Sequence, residues 1–189
     1  SFLSSKQPGQ IDSDEIQQFK GLIRKGEALA ACRYCGVEEN KAHFLNLPFY
    51  ETGAVRKKPH SEEDIQITYE LLNKVQPHQI FAAGDLSDPH GTHRVCLEII
   101  YKTIERLIEN RVDWIRNCHV WLYRGAWQEW EIADMEMAVP IGPKDMKRKF
   151  NAIFKHQSQK DSAMFPGNDQ REFWQRAQQR NTETAHRYN

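Results

Sequence analysis

A short apolar run, closed by a polar turn and followed by a helix, constrains the fold of this chain more than any other feature. Residues 80–83 are apolar and end at Gly84-Asp85, which predicts a buried strand ending in a turn. Apolar residues then recur at helical spacing over residues 95–108. In open α/β sheets, ligands bind in the crevice outside the carboxyl ends of the strands. The first candidates for a functional site are therefore the polar residues of this stretch, Asp85, Asp88, His90 and His93.

The two histidines allow two interpretations. If the helix has begun by His90, then His90 and His93 lie on one face and can share a metal ion or a substrate atom. Alternatively, Asp88 caps the helix, Pro89 takes its first position, and the histidines belong to a solvated first turn. Spacing alone does not separate these interpretations, because His-x-x-His is a much weaker zinc pattern than His-Glu-x-x-His.

Length and composition predict one domain, residues 1–189, with a real core, because 39% of the 189 residues are hydrophobic. Basic and acidic residues number 26 each, so no general charge favours nucleic acid or an anionic membrane as a partner. No apolar run approaches the ~20 residues of a membrane span. Four cysteines are too few for a disulfide scaffold and fit a reducing compartment, so we expect a soluble, cytoplasmic protein.

Three further strands are predicted, at residues 43–50, 118–124 and 131–139. Helices are predicted between and around them, beginning at Ser13, Ser61, Gly142 and Asn168. The first should stop at Gly36, and the helix from Gly142 should run to residues 156–159. Strands that alternate with helices indicate a three-layer, Rossmann-like α/β fold with a mostly parallel sheet. The chain has no Gly-x-Gly-x-x-Gly, which argues against a dinucleotide-binding domain.

Two aromatic residues and a basic residue follow the strand predicted at residues 118–124. Arg124 closes that strand, and Trp127 and Trp130 lie in the turn after it. A tryptophan in a loop near the end of a sheet suits stacking on a sugar face, although wedging such a loop onto the core is the commoner use. Arg124 and Trp127 are therefore candidate substrate contacts.

Four stretches, in order along the chain, resemble the PIG-L/LmbE family of zinc-dependent de-N-acetylases. They are Arg24-x-x-Glu27-Ala28 leading to Cys35-Gly36-Val37, then Phe-Leu-Asn-Leu-Pro-Phe at 44–49, then Asp88-x-His90-x-x-His93, and finally Lys149-x-x-Ala152-x-x-x-His156-x-Ser158-Gln159. Residues 123–130 and 154–161 resemble more narrowly the LmbE-like domain that some bacteria carry fused behind a glucosamine-6-phosphate deaminase (isomerase)-like domain.

The resemblance implies hydrolysis of the acetamido group of an N-acetylated amino sugar or a related glycoside, with zinc as the cofactor. It implies that His93 is a zinc ligand and that His90, oriented by Asp88, stabilises the oxyanion or acts as an acid. Asp85, Arg124, Trp127 and His156 are weaker candidates for substrate binding. The partners implied are a small amino-sugar substrate and a fused or homo-oligomeric neighbouring domain, with no nucleic acid and no membrane.

Two departures from the family pattern matter. The motif His-Pro-Asp-Asp, which supplies two zinc ligands and the general base in the family, is absent from the 189 residues. Gly91-Thr92 stands between the histidines where the family usually has Pro-Asp. We therefore expect the C-terminal portion of an LmbE-like domain that lacks its first strand and helix, with an incomplete zinc site and no activity alone. The alternative is a degenerate, non-catalytic domain attached to a glucosamine-6-phosphate deaminase-like enzyme.

Overall fold

A computed structural model describes residues 12–50, 58–84, 91–124, 129–159 and 171–188. These residues form both helices and strands, in keeping with the α/β class. The elements are the helices α1 (Asp14–Tyr34), α2 (Glu62–Val75), α3 (Thr92–Glu109), α4 (Pro143–Ile153) and α5 (Phe173–Tyr188), and the strands β1 (Gln79–Ala83) and β2 (His119–Tyr123). Short 3-10 turns lie at Glu39–Lys41, Asp113–Asn117, Ile132–Asp134 and Gln157–Gln159.

The sheet of the described residues consists of β1 and β2, which pair in parallel with Gln79 opposite His119 and Ala83 opposite Tyr123. Parallel neighbours need a long crossover, and α3 supplies it. The helix α3 packs against both β1 and α2, so the core lies between these three elements. Its most buried apolar residues are Ile65, Ala82, Leu97, Ile99 and Leu107. The strand predicted at residues 80–83 and the one predicted at 118–124 are thereby confirmed.

A buried carboxylate fixes the start of α2. The fully buried Asp64 accepts hydrogen bonds from the Phe49 amide at 3.0 Å, the Ser61 amide at 2.7 Å and the Ser61 hydroxyl at 2.6 Å. Burial alone would raise the pKa of Asp64, but these hydrogen bonds outweigh it and hold the pKa below its usual value. The predicted capping box is confirmed, and the same side chain also ties residue 49 to the helix.

A second group of elements consists of α1, α4 and α5. The helix α1 contacts α4 and the turn Gln157–Gln159, and α4 contacts α5. As predicted, α1 ends before Gly36, which adopts a φ of 83°, while the Val37 amide donates to the Cys32 carbonyl at 2.9 Å. That left-handed φ suits glycine and lets the chain satisfy the last carbonyl groups of the helix.

Two of the four predicted strands are wrong. Residues 43–50 are irregular, with Asn46 at a φ of 49° and a turn in which the Tyr50 amide donates to the Leu47 carbonyl. Within residues 131–139 the structure has the 3-10 turn Ile132–Asp134 and no strand. The apolar side of the predicted alternation is not buried there, since Met137 and Val139 are 45% and 71% exposed. An alternation of apolar and polar residues gives a strand only when a neighbouring strand pairs with it. The three-layer Rossmann-like sheet therefore remains a proposal.

Helix boundaries also differ from the sequence prediction. The helix α3 begins at Thr92 with Gly91 as its N-cap, and the predicted cap Asp88 and first-turn Pro89 lie outside the described residues. The helix α4 ends at Ile153 and does not reach residues 156–159, and α5 begins at Phe173. The predicted cap Asn168 lies outside the described residues. None of the helices in the described ranges is long and apolar enough to cross a membrane.

Candidate functional site

The carboxyl ends of β1 and β2 meet at one tightly packed edge. The Gly84 amide donates to the Tyr123 carbonyl at 2.7 Å. A Cβ atom at Gly84 would lie 2.9 Å from the Leu122 Cβ and 3.1 Å from the Trp130 ring, so only glycine fits without movement of its neighbours. Residues 85–90 and 125–128 follow these ends directly in the sequence. They carry Asp85, Asp88, His90 and Trp127, and they lie outside the described residues.

Arg124 joins the two strand ends. Its Nε donates to the Gly84 carbonyl at 3.4 Å and its Nη1 to the Glu129 carbonyl at 3.2 Å. The guanidinium lies 3.7 Å from the centre of the Trp130 ring, whose Nε1 donates to the Leu122 carbonyl at 3.1 Å. The structure thus places Arg124 at the predicted edge. Because a guanidinium has five N–H groups, these two hydrogen bonds leave it with donors for a ligand.

His93 lies in the first turn of α3, directly after Thr92. The residue is half-buried, and its Nδ1 atom is buried. Across the described ranges, no three His, Cys, Asp or Glu side chains come together as a metal site. These residues therefore do not form a zinc site by themselves. The helix begins at Thr92 with Gly91 as its N-cap, and His90 lies outside the described residues.

A second cluster joins two segments that lie 131 residues apart. The Glu27 carboxylate on α1 accepts hydrogen bonds from the Ser158 amide at 2.6 Å and the Ser158 hydroxyl at 2.7 Å. Burial alone would raise the pKa of Glu27, but the Ser158 hydrogen bonds and the charges of His156 and Arg24 outweigh it and hold the pKa below its usual value. The structure thereby brings Arg24-x-x-Glu27 and His156-x-Ser158 together.

Further contacts tie the end of α1 to the same region. The Asn151 amide nitrogen donates to the Tyr34 hydroxyl at 2.8 Å, and the Lys155 ammonium lies 5.1 Å from the centre of the Tyr34 ring. Among the described elements, the turn Gln157–Gln159 contacts α1 and no strand. His156 directly precedes this turn and lies near Glu27, and its charge helps to lower the pKa of that carboxyl. The resemblance motifs contain Glu27 and Ser158, but nothing in their spacing predicted the contact.

Comparison with known proteins gives one curated relative. The chain is 52% identical over 187 residues to a protein of Bacteroides thetaiotaomicron that is named as glucosamine-6-phosphate deaminase-like. The alignment covers 99% of this chain and 28% of that protein, so the chain spans little more than a quarter of the relative's length. No family model matches the chain. No solved structure matches it either.

Proposed function

We propose that this chain is the C-terminal portion of an LmbE-like α/β domain, and that the complete domain removes the acetyl group of an N-acetylated amino sugar by zinc-dependent hydrolysis. The name of the Bacteroides relative, which refers to glucosamine 6-phosphate, supports an amino sugar as the substrate class. Cytoplasmic location belongs to the same proposal, since four cysteines in 189 residues fit a reducing compartment.

The observation that carries the proposal is the contact between Glu27 and Ser158. These residues belong to two of the four stretches that resemble the family, and 131 residues separate them. A chance likeness of short motifs gives no reason for one carboxylate to accept two hydrogen bonds from the other motif. Charged hydrogen bonds of this kind are about twice as strong as neutral ones, which suits a contact that fixes the geometry of a site.

In the proposed domain each residue of this chain has a separate task. Zinc, when bound by three protein ligands, lowers the pKa of its water to ~7 and polarises a carbonyl group. His93 supplies one ligand, and the others come from residues beyond those described. His90, oriented by Asp88, donates a hydrogen bond to the oxyanion. Arg124 is held where it can donate to a sugar hydroxyl or phosphate, with Asp85, Trp127 and His156 as weaker substrate contacts.

The second candidate is a non-catalytic domain that scaffolds or regulates an attached amino-sugar-phosphate enzyme. One observation favours it. Gly91 is the N-cap of α3 with a φ of 68°, so the helix begins between the two histidines in the sequence. A site without the Pro-Asp pair between its histidines also lacks the carboxylate that tunes the first of the two histidines. Gly91-Thr92 is the point at which the two candidates differ, because it lies inside the proposed site.

Two substitutions in the full gene product that contains this chain separate a metal ligand from a catalyst. His93→Ala should remove both the zinc and the turnover. His90→Ala should keep the zinc and lower kcat by ~10²–10³, the effect of one oxyanion-stabilising group. Elemental analysis and acetate release measure the two quantities. His186→Ala, an exposed histidine on α5, is the matched control and should change neither. If His93→Ala keeps its zinc, the assignment of the ligand is wrong.

A further inference from the structure

Arg124 is held in one position at the carboxyl ends of the two strands. Its Nε and Nη1 atoms donate to the Gly84 and Glu129 carbonyl groups, and its guanidinium carbon lies 3.7 Å from the centre of the Trp130 ring. The ring is held in turn, because its Nε1 donates to the Leu122 carbonyl. A long side chain normally loses rotamer freedom when it binds a ligand. Arg124 loses that freedom on folding, so its guanidinium is preorganised.

Gly84 allows this packing. A Cβ atom at residue 84 would lie 3.1 Å from the Trp130 ring and 2.9 Å from the Leu122 Cβ, so a side chain there would push the ring away. The Gly84 carbonyl is also one of the two acceptors that hold Arg124. The sequence at the two strand ends therefore serves the position of one guanidinium.

The Arg124 guanidinium keeps N–H groups for a ligand. It has five N–H groups, and the two carbonyl contacts use one on Nε and one on Nη1, which leaves one on Nη1 and two on Nη2. The Nη2 atom makes no hydrogen bond to a described residue, and it is not enclosed as the Nη1 atom of Arg180 is, so a ligand can reach it. Neighbouring guanidinium nitrogens can bind two oxygens of one phosphate or carboxylate.

The charge of Arg124 favours an anion over a neutral hydroxyl group. Among the described residues its partners are two neutral carbonyl groups and an aromatic ring, and none is a carboxylate. The Glu129 carboxylate accepts from the Trp130 amide at 3.1 Å instead. Arg124 is half-buried, so its charge is partly removed from water, and an anion compensates that cost better than a neutral acceptor does.

We propose that Arg124 makes the strand-end site specific for substrates with an anionic group, a phosphate ester or a carboxylate, and that Trp130 is its positioning residue. Ligands of open α/β sheets bind outside the carboxyl ends of the strands, which is where the accessible N–H groups of Arg124 lie. The inference rests on the proposed function, which puts an amino sugar at this edge. It adds that the preferred sugar is anionic and that a neutral acetamido sugar is a poor substrate.

Acetate release by the full gene product that contains this chain tests the proposal. The substrates are N-acetylglucosamine, N-acetylglucosamine 6-phosphate and N-acetylmuramic acid, which are neutral, a phosphate ester and a carboxylate. The wild type should have a kcat/KM about tenfold or more higher for one of the anionic sugars than for the neutral sugar, and that sugar identifies the anion. Arg124→Gln should lower this ratio by about tenfold or more, the effect of losing one charged hydrogen bond. The change should fall mainly on KM, because the anionic group takes no part in the bond that breaks.

Substitutions of Trp130 test its role as a positioning residue. Trp130→Leu removes the ring and should lower the ratio about threefold to tenfold, whereas Trp130→Phe restores a ring face and should recover most of it. A merely structural role would lower kcat/KM for neutral and anionic sugars alike and leave the ratio unchanged. Arg116→Gln is the matched control, since Arg116 is exposed in the turn before β2, at the other end of that strand. It should change the ratio by less than about twofold.

The outcomes separate this inference from the proposed function. Acetate release with the same kcat/KM for neutral and anionic sugars overturns the inference and leaves the hydrolase standing. A ratio that Arg124→Gln does not change does the same. Acetate release from none of the sugars contradicts the hydrolase instead, and a measurement without turnover then decides about Arg124.

Labelling of the unmodified protein with phenylglyoxal, an arginine-directed reagent, supplies that measurement. Mass spectrometry of the digested protein reports the label on each arginine separately, so other sites in the gene product do not interfere. The anionic sugar should protect Arg124 from the label, and N-acetylglucosamine should not. Arg116 should be labelled equally in every case. Labelling of Arg124 that neither N-acetylglucosamine 6-phosphate nor N-acetylmuramic acid reduces contradicts the inference.

Discussion

Asp64 shows how one carboxylate can hold two segments of this chain. It is fully buried, and its oxygens accept from the Phe49 amide and from the amide and hydroxyl of Ser61. Only an acceptor with no hydrogen of its own satisfies three donors at once. The residue type at position 64 is therefore set by the donors around it as much as by its role in the capping box.

Asp64→Asn should lower the free energy of unfolding at pH 7 by about 2 to 3 kcal/mol, because the new amide N–H groups face donors. Since the pKa of Asp64 is lowered in the folded protein, its contribution is present above the unfolded value of about 4 and is lost as pH falls through the folded value. Denaturant unfolding at several pH values should therefore show that the difference in unfolding free energy between the wild type and the variant becomes smaller below pH ~4. Glu63→Gln, in the same turn but exposed, is the control, and an equal loss in both variants would contradict the prediction.

Glu27→Gln should loosen the turn Gln157–Gln159 from α1. A glutamine side chain keeps one acceptor oxygen but presents an N–H group to the second Ser158 donor, so one of the two hydrogen bonds is lost. Exchange of the Ser158 amide hydrogen should become several-fold faster. The free energy of unfolding should fall by less than about 1 kcal/mol, because the contact is near the surface. Ser158→Ala should produce the same exchange phenotype, and additive effects of the two substitutions would argue against a direct contact.

The sequence predicts the helices of this molecule better than its strands. Ser61 and Gly36 carry local signals that fix one end of a helix each, and the structure confirms both. A strand has no such signal, because its hydrogen bonds come from a neighbour. The apolar run at residues 80–83 pairs with the strand β2, whereas residues 43–50 and 131–139 pair with no strand among the described residues. The contact between Glu27 and Ser158 could not be predicted from the sequence either, since it depends on how α1 and α4 pack.

Leu107→Ala tests the core between α2 and α3. Leu107 is fully buried, so its truncation should lower the free energy of unfolding by about 2 to 5 kcal/mol through lost burial and a residual cavity. Ile108 is the next residue on the same helix and is 59% exposed. Its replacement by alanine should cost about 0.5 kcal/mol or less, as for most surface substitutions. Chemical denaturation measures both, and similar losses would mean that the assigned face of α3 is wrong.

At the scale of the whole molecule, one face of the sheet is left open by the described residues. Phe81 and Tyr123 lie on the same face and are 58% and 55% exposed. Parallel sheets in α/β proteins are normally covered on both faces. The chain spans 28% of the Bacteroides relative, so under the proposed function the covering layer and the remaining zinc ligands come from residues beyond those described.

The same reasoning predicts that the 189-residue chain alone binds zinc poorly. His93 has no group of metal-ligating side chains around it in the described ranges, and a single histidine does not hold a catalytic zinc. After dialysis against a weak chelator, elemental analysis should find far less than one zinc per chain, and His93→Ala should not change that value. Near-stoichiometric zinc in the wild-type chain would point to a different metal site.

Release of acetate by the full gene product that contains this chain is the measurement that tests the central claim most directly. The substrates are N-acetylated amino sugars and their 6-phosphates. The account predicts acetate release that stops when zinc is removed and returns when zinc is added back. Zinc-loaded protein that releases no acetate from any of these sugars would contradict the hydrolase and favour the scaffold, with Gly91-Thr92 as the place where the activity was lost.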